Sequence, residues 1–130
     1  TLNLCVNRLT GSIPPELGGL VALKTLNLSS NELTGPIPPE LGRLVRIETL
    51  HLHFNRLTGS IPSALGGLVA LETLDARFNR LTGIGGVEGA LELLRKFTWR
   101  TDFHESGGLF LQGNPWVMPP EAVVEEGLQV

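Results

Sequence analysis

The stretch LVALKTLNLSSNELTGPIPPELGR, residues 20–43, recurs along the chain at a spacing of 24 residues. The next copies are LVRIETLHLHFNRLTGSIPSALGG at 44–67 and LVALETLDARFNRLTG at 68–83, and the same pattern already runs through residues 1–19. Four asparagines keep this spacing and a fifth follows after 35 residues: Asn7, Asn31, Asn55, Asn79 and Asn114. A chain built from such short repeats is expected to coil into a solenoid.

Each repeat contains two apolar residues that alternate with polar ones, which is the periodicity of a strand with one buried face. In the second repeat they are Leu26 and Leu28. We expect the equivalent strands to lie side by side in one parallel sheet, near residues 2–4, 26–28, 50–52, 74–76 and 109–111. On the opposite side, the segment Pro38-Pro39-Glu40 predicts a short helical turn, because proline presets the backbone angle and glutamate favours the N-terminal dipole.

One repeat cannot fold alone, because the burial of its apolar side chains is smaller than the entropy cost of ordering its backbone. Stacking on neighbouring repeats must supply the remainder, so stability is shared along the array. The residues expected to point inward in one repeat are Leu33, Ile37, Leu41, Leu44, Ile47, Leu50 and Leu52.

The asparagines stand where each strand turns away from the sheet. A side-chain amide there can bond the backbone of adjacent turns, and buried amides are nearly always paired. We therefore interpret the asparagine column as a structural ladder: Asn7, Asn31, Asn55, Asn79 and Asn114.

The motif L-T-G-x-I-P occurs at Leu9–Pro14, Leu33–Pro38 and Leu57–Pro62. With the asparagine register, it strongly resembles the plant-specific class of leucine-rich repeats. The resemblance covers residues 1–84. It implies a right-handed, twisted solenoid with a concave parallel sheet, an α/β architecture, and a short second strand beside each Leu-Thr-Gly. It also implies a concave or lateral surface that binds proteins, peptides or small hormones.

The C-terminal residues 109–127, LFLQGNPWVMPPEAVVEEG, resemble instead the last repeat of arrays joined to Roco-type GTPases, with algal arrays of plant-type repeats particularly similar. No G-x-x-x-x-G-K-[ST] phosphate-binding loop occurs in the sequence. We interpret residues 1–130 as one domain. Its parts are regular repeats over 1–84, an irregular insertion over 85–108 with an amphipathic helix near 87–97, and a last repeat with a cap over 109–130.

The bulk composition argues against several classes of protein. A net charge of −3 gives no electrostatic footprint for nucleic acid, and no apolar run approaches the length of a membrane span. The single cysteine, Cys5, cannot form an internal disulfide. No catalytic set of serine or cysteine with histidine emerges from the repeat register, so we expect neither an enzyme nor a cofactor.

The repeat register places large side chains on the concave face of the third and fourth repeats, where the first two repeats carry small polar ones. Exposed aromatic residues beside arginine and histidine are typical of binding hot spots. The hypothesis of a ligand-binding patch competes with that of an ordinary mixed surface. His51 and His53 with Asp75 nearby lack a third histidine or thiol, so no metal site is expected. We call the following residues the concave patch: His51, His53, Phe54, Asp75, Arg77 and Phe78.

Two functions fit this sequence. The first is a non-enzymatic, cytoplasmic scaffold that binds a protein or peptide as the repeat region of a larger, Roco-type protein. The alternative is a fragment of an extracellular plant-type receptor ectodomain that senses a peptide or small ligand. The chain opens within a repeat, so we expect either further repeats before Thr1 or pairing of the uncapped N-terminal end with another chain.

Overall fold

The structure is a computed structural model, and it describes residues 1–98 and 108–117. It contains strands, three short 3-10 turns and one α-helix. The strands are Leu2–Asn3 (β1), Thr25–Asn27 (β2), Thr34–Pro36 (β3), Thr49–His51 (β4), Arg56–Ile61 (β5), Thr73–Asp75 (β6), Arg80–Ile84 (β7) and Gly108–Phe110 (β8). The turns are Pro15–Gly19, Pro39–Arg43 and Ser63–Gly67, and the helix α1 is Val87–Thr98.

The main sheet has five parallel strands in the order β1-β2-β4-β6-β8. Equivalent residues of successive repeats stand side by side, as in the pairing of Leu26 with Leu50 and of Leu50 with Leu74. Each strand ends one residue before the predicted bound. The backbone bonding nevertheless continues, because the N–H of Leu28 donates to the carbonyl of His51 at 2.9 Å. The concave parallel sheet predicted from the repeats is confirmed.

A second parallel sheet, β3-β5-β7, lies beside the first along the Leu-Thr-Gly segments. Thr34 pairs with Arg56 in this sheet, and Thr58 pairs with Arg80. This is the short second strand that the plant-type motif implied. The two sheets and the 3-10 turns enclose the core between them, so each repeat forms one complete coil of a solenoid.

The core is a continuous column of leucine and isoleucine side chains. All seven residues expected to point inward in one repeat are buried, with Leu41, Leu44, Ile47, Leu50 and Leu52 fully enclosed and Leu33 and Ile37 nearly so. The corresponding side chains of the next repeat, including Leu65, Leu74 and Leu81, join the same cluster. The inward alternation of leucines therefore builds one interior along the array.

Helix α1 replaces the 3-10 turn of the next repeat and begins and ends close to the predicted bounds. Its buried face is Ala90, Leu93 and Leu94, with Leu91 and Phe97 half-buried beside them. The helix approaches the preceding turn closely at Gly89, where an added Cβ would stand only 2.3 Å from the Cβ of Ser63. Glycine is required at this contact because any side chain would clash.

The chain returns to the main sheet after the helix, and β8 pairs with β6 in register, Leu74 opposite Leu109. Residues 99–107 of the predicted insertion and residues 118–130 of the predicted last repeat and cap lie outside the described residues. Within the described parts of the chain, no helix is both long and apolar enough to cross a membrane.

Candidate ligand-binding face

The outward positions of the main sheet form rows across the repeats because every strand pairs with its neighbour in register. One row runs through Asn3, Asn27, His51, Asp75 and Phe110. The small polar residues of the first two repeats thus give way to large or charged ones. Two residues of the concave patch, His51 and Asp75, lie in this second half of the row.

Directly before each asparagine, the backbone adopts the left-handed conformation. The φ angles there are 56° at Val6, 54° at Ser30, 55° at Phe54 and 53° at Phe78, and the equivalent Gly113 has a φ of 78°. The repeat register predicts Phe54 and Phe78 on the concave face of the sheet. They belong instead to the turn that leaves the sheet, because the chain must change direction there to reach the second sheet.

The asparagine side chains hold that turn. Asn79 is buried, and its Oδ1 accepts a hydrogen bond from the N–H of Leu57 in the preceding repeat at 3.0 Å. Its Nδ2 donates to the carbonyl of Leu52 in that repeat at 3.0 Å and to that of Ala76 in its own at 3.3 Å. Asn114 makes the equivalent bonds to Leu81 and Ala76, although it follows at a longer interval. The asparagine ladder fixes the spacing between successive coils, and it therefore aligns the residues that directly precede each asparagine.

Two phenyl rings project from the positions that directly precede Asn55 and Asn79. The rings of Phe54 and Phe78 are stacked, with centroids 4.7 Å apart and planes 5° apart. About half of each side chain is exposed, 51% for Phe54 and 45% for Phe78. Gly113 gives the second ring its place, because an added Cβ there would stand 2.4 Å from Cδ1 of Phe78.

Asp75 lies beneath the surface of the patch, with only 4% of the residue exposed. This burial corrects the prediction that Asp75 is exposed on the concave face. Its carboxylate is covered by the Arg77 guanidinium, which donates from Nε to Oδ1 at 2.9 Å and from Nη2 to Oδ2 at 2.6 Å. Burial alone would raise the pKa of Asp75, but the hydrogen bonds from the Arg77 side chain and backbone, with the positive charges nearby, hold that pKa below its ordinary value.

His53 stands on the other side of the same carboxylate, with Nδ1 at 3.1 Å from Oδ2 of Asp75. Nδ1 is buried and makes no hydrogen bond, so the two atoms are close but lack hydrogen-bond geometry. Burial lowers the pKa of the His53 imidazole. The neighbouring His51 and Arg77 act in the same direction, against the attraction of Asp75. His53 is therefore neutral at pH 7.

The rings of His51 and His53 are 5.3 Å apart in an edge-to-face arrangement, and His53 meets Phe54 in the same way at 5.7 Å. No group of three metal-ligating side chains forms among residues 1–98 and 108–117. The histidines thus extend the aromatic surface of the patch.

Phe110 belongs to the same surface, although it is not among the residues predicted for the concave patch. The guanidinium carbon of Arg77 lies 5.2 Å from the centroid of the Phe110 ring. The signal was present in the strand predicted near 109–111, since its middle residue, Phe110, continues the row of His51 and Asp75. The irregular insertion obscured that row.

Comparison with known proteins agrees with this architecture. Residues 1–57 match the sequence profile of the leucine rich repeat family. A search of curated protein sequences finds no significant match.

Three similar solved structures come from Arabidopsis thaliana. One is a chain of the BIR3–SERK2 complex, with 35% identity, a TM-score of 0.71, and coverage of 91% of this chain and 56% of that one. The receptor kinase HAESA ectodomain, solved with an N-terminally extended IDA peptide hormone, is 33% identical with a TM-score of 0.70. The match covers 88% of this chain and 18% of that one. The ectodomain of the membrane receptor kinase GASSHO1/SCHENGEN3, solved with CASPARIAN STRIP INTEGRITY FACTOR 2, is 31% identical with a TM-score of 0.72. The match covers 95% of this chain and 14% of that one.

The chain thus spans about half of the first of these relatives and less than a fifth of the other two. The fold is a leucine-rich-repeat solenoid. Its L-T-G-x-I-P repeats are similar to those of the plant receptor ectodomains.

Proposed function

We propose that this chain is a ligand-binding segment of an extracellular plant-type receptor ectodomain, and that it captures a peptide or protein on the concave patch. Of the two functions that the sequence allowed, the similar structures favour this one over the cytoplasmic scaffold. Two of the similar ectodomains were solved with a peptide hormone or an integrity factor bound. The Roco-type interpretation receives no support from these structures, and residues 118–127 of its motif lie outside the described residues.

The observation that carries the proposal is the exposed ring stack of Phe54 and Phe78. The fold itself does not require an aromatic residue at this position, because Val6, Ser30 and Gly113 occupy it in other repeats. A left-handed backbone also costs a bulky residue about 1–3 kcal/mol. Aromatic residues that bring such a cost without filling the core are expected to serve a contact with another molecule.

The rest of the patch has the composition of a binding surface. Phe110 is also exposed, and the Arg77 guanidinium stands over its ring. Aromatic residues and arginine are enriched at the energetic centres of protein interfaces. Because hydrogen bonds and stacking already fix these side chains, a ligand would lose little side-chain entropy in ordering them.

Selection from a library of displayed random peptides tests the proposal. The unmodified chain should enrich specific peptides, and the double variant Phe54→Ser with Phe78→Ser should lose them. Val21→Ser with Val45→Ser is the matched control, because it removes two exposed apolar side chains of 54% and 59% exposure outside the patch. Peptides retained by the phenylalanine double variant, or lost equally in the control, would rule out the patch as the binding site.

A further inference from the structure

We propose that two copies of this chain associate through an exposed apolar stripe on the side of the solenoid away from the second sheet. The valine stripe consists of Val21, Val45 and Val69, which occupy equivalent positions in successive repeats. The two copies run antiparallel, so that Val45 meets its own counterpart on a two-fold axis. This inference does not rest on the proposed function, because it concerns a different face of each coil.

The valines lie in the segment that returns the chain from a 3-10 turn to the next strand of the main sheet. The N–H of Val21 donates to the carbonyl of Gly19 at 2.9 Å, and that of Val45 donates to the carbonyl of Arg43 at 2.8 Å. The same tight turn therefore recurs, and it presents the valine side chain in the same direction each time.

Successive coils are in contact at both ends of this returning segment. At the sheet end, the N–H of Glu48 donates to the carbonyl of Lys24 at 2.8 Å, and that of Glu72 donates to the carbonyl of Glu48 at 2.7 Å. At the turn end, an added Cβ on Gly42 would stand only 2.7 Å from the Cβ of Ala64. The valines between these two contacts therefore stand side by side.

The fold does not use the apolar side chains of these valines. Val21, Val45 and Val69 are 54%, 59% and 88% exposed, and none belongs to the core cluster. Polar residues and glycine are the usual residues of such turns. Ala22 and Ala70 follow the outer two valines and widen the apolar surface. Single exposed apolar residues are common, but a contiguous row of them is typical of a contact surface.

The charges beside the stripe favour a second copy of the chain as the occupant. Lys24, with 65% of its side chain exposed, follows the first valine, and the exposed Glu72 follows the third. A copy turned by half a revolution about an axis through Val45 brings Lys24 of each chain to Glu72 of the other. The contact of Lys24 with Glu48 at 3.8 Å is a weak surface pair that leaves room for a second acidic neighbour. The stripe is therefore complementary to itself, as an isologous interface requires.

The size of the stripe sets the strength of the association. Three valines with their neighbours cover less area than the interface of a permanent dimer, so the dimer should dissociate on dilution. In an isologous contact every substitution is present twice, which doubles its effect on the free energy of association. Small changes in the stripe should therefore be measurable.

Sedimentation equilibrium over a range of concentrations tests the stripe. The double variant Val45→Ser with Val69→Ser should raise the Kd of the dimer about tenfold to a hundredfold. Val6→Ser is the matched control, because Val6 is 75% exposed but lies in the turn that leaves the main sheet. Its Kd should equal that of the unmodified chain. Circular dichroism verifies that the variants are folded.

Charge exchange tests the orientation. Lys24→Glu should raise the Kd of the dimer about threefold to tenfold, because it places like charges against each other at two symmetric positions. Addition of Glu72→Lys to the same chain exchanges the two charges, and it should restore the Kd of the unmodified chain.

Disulfide trapping tests the orientation independently. In a Cys5→Ser background, which removes the single cysteine, Val21→Cys and Val69→Cys are made in separate chains. A mixture of the two chains should form a disulfide-linked dimer under mild oxidation, and each chain alone should not. The reason is that a disulfide requires Cα atoms within about 7 Å, which an antiparallel pair provides only between unlike positions.

Four results would overturn the inference. They are a chain that stays monomeric up to about 1 mM, an unchanged Kd in the valine double variant, a charge exchange that fails to restore the Kd, or trapping of Val21→Cys alone as fast as the mixture. The proposed function is tested separately, because Val21→Ser with Val45→Ser should weaken self-association while peptide capture on the concave patch is retained.

Discussion

Asn55 Oδ1 accepts a hydrogen bond from the backbone N–H of Leu33, in the preceding repeat, at 3.0 Å. The Nδ2 of the same amide donates to the carbonyl of Leu28 at 2.9 Å and to that of Leu52 at 3.1 Å. One side chain therefore joins two coils, and its removal would leave buried backbone groups of both without partners. Loss of such bonds is costly because the groups stay desolvated.

We predict that Asn55→Ala lowers the free energy of unfolding by about 1–3 kcal/mol. Asn7→Ala is the control, since Asn7 is exposed and its side chain bonds only Leu4 and Cys5 of its own turn. Chemical denaturation of both variants gives the comparison. Equal denaturation midpoints for Asn55→Ala and the unmodified chain would contradict the ladder.

The left-handed turn before each asparagine predicts a stabilising substitution. Ser30 has a φ of 54° and an exposed side chain, and a glycine there would adopt this angle without strain. We expect Ser30→Gly to raise the unfolding free energy by about 0.5–1 kcal/mol, after the greater entropy of glycine in the unfolded chain is included. Ser60→Gly, at an exposed strand position, should lower it by about 0.5–1 kcal/mol. Thermal unfolding of the two variants should therefore shift in opposite directions.

Gly113 predicts a coupling between a glycine and the ring stack. Gly113→Ala introduces both backbone strain and a clash with the ring of Phe78, whereas Gly59→Ala, at a φ of 75°, meets nothing within 4 Å. The strain of about 1–2 kcal/mol is common to both. Only Gly113→Ala should displace Phe78 and weaken peptide capture. Near-ultraviolet circular dichroism and the peptide selection measure these effects, and equal peptide capture by both variants would contradict the coupling.

The patch also predicts a loss of stability in acid. Burial lowers the pKa of His53 in the folded state, so well above about pH 6.5 its imidazole is neutral in both the folded and the unfolded chain and does not reduce stability. As the pH falls below that value, the unfolded chain takes up the proton first and stability declines until the folded pKa is reached. Asp75 has a lowered pKa as well, so its contribution is present above about pH 3.9 and is lost as the pH falls through its folded value.

Denaturation midpoints measured across this range check the two steps separately. His53→Gln should remove the decline that begins near pH 6.5 and leave the more acidic one. His51→Gln serves as the comparison variant, since the His51 ring contacts that of His53 and disfavours a proton there. If the decline in stability that begins near about pH 6.5 were unchanged in His53→Gln, it would have to arise from another group.

The repeat spacing predicted most of the framework because each coil repeats the same hydrogen bonds. Once Leu26 and Leu50 are placed in equivalent strands, the register of the sheet follows, and so does the burial of Leu33 and Ile37. The 3-10 turns follow from proline in two of the three cases. Ser63–Gly67 forms without proline among its own residues, because Pro62 precedes it and the coil geometry is shared.

The details of the patch were harder to predict because they depend on contacts between side chains. Periodicity gives the side of the sheet on which Asp75 lies, but its burial results from the way in which Arg77 folds over it. The contact of Arg77 with Phe110 crosses an insertion of irregular length, so counting repeats could not reveal it. Composition could not decide the compartment either, and the similar ectodomains favour the extracellular alternative to the predicted cytoplasmic location.

Helix α1 shows how this architecture separates two kinds of variation. Between Asn79 and Asn114 the chain exchanges a five-residue 3-10 turn for a helix of 12 residues, and β8 still returns to its place beside β6. Length changes on the outer arc are therefore absorbed there, while the inner rows keep their alignment. An evolving or engineered version of this chain could alter its outer arc, for instance to acquire a tag or a second contact, and leave the recognition rows unaltered.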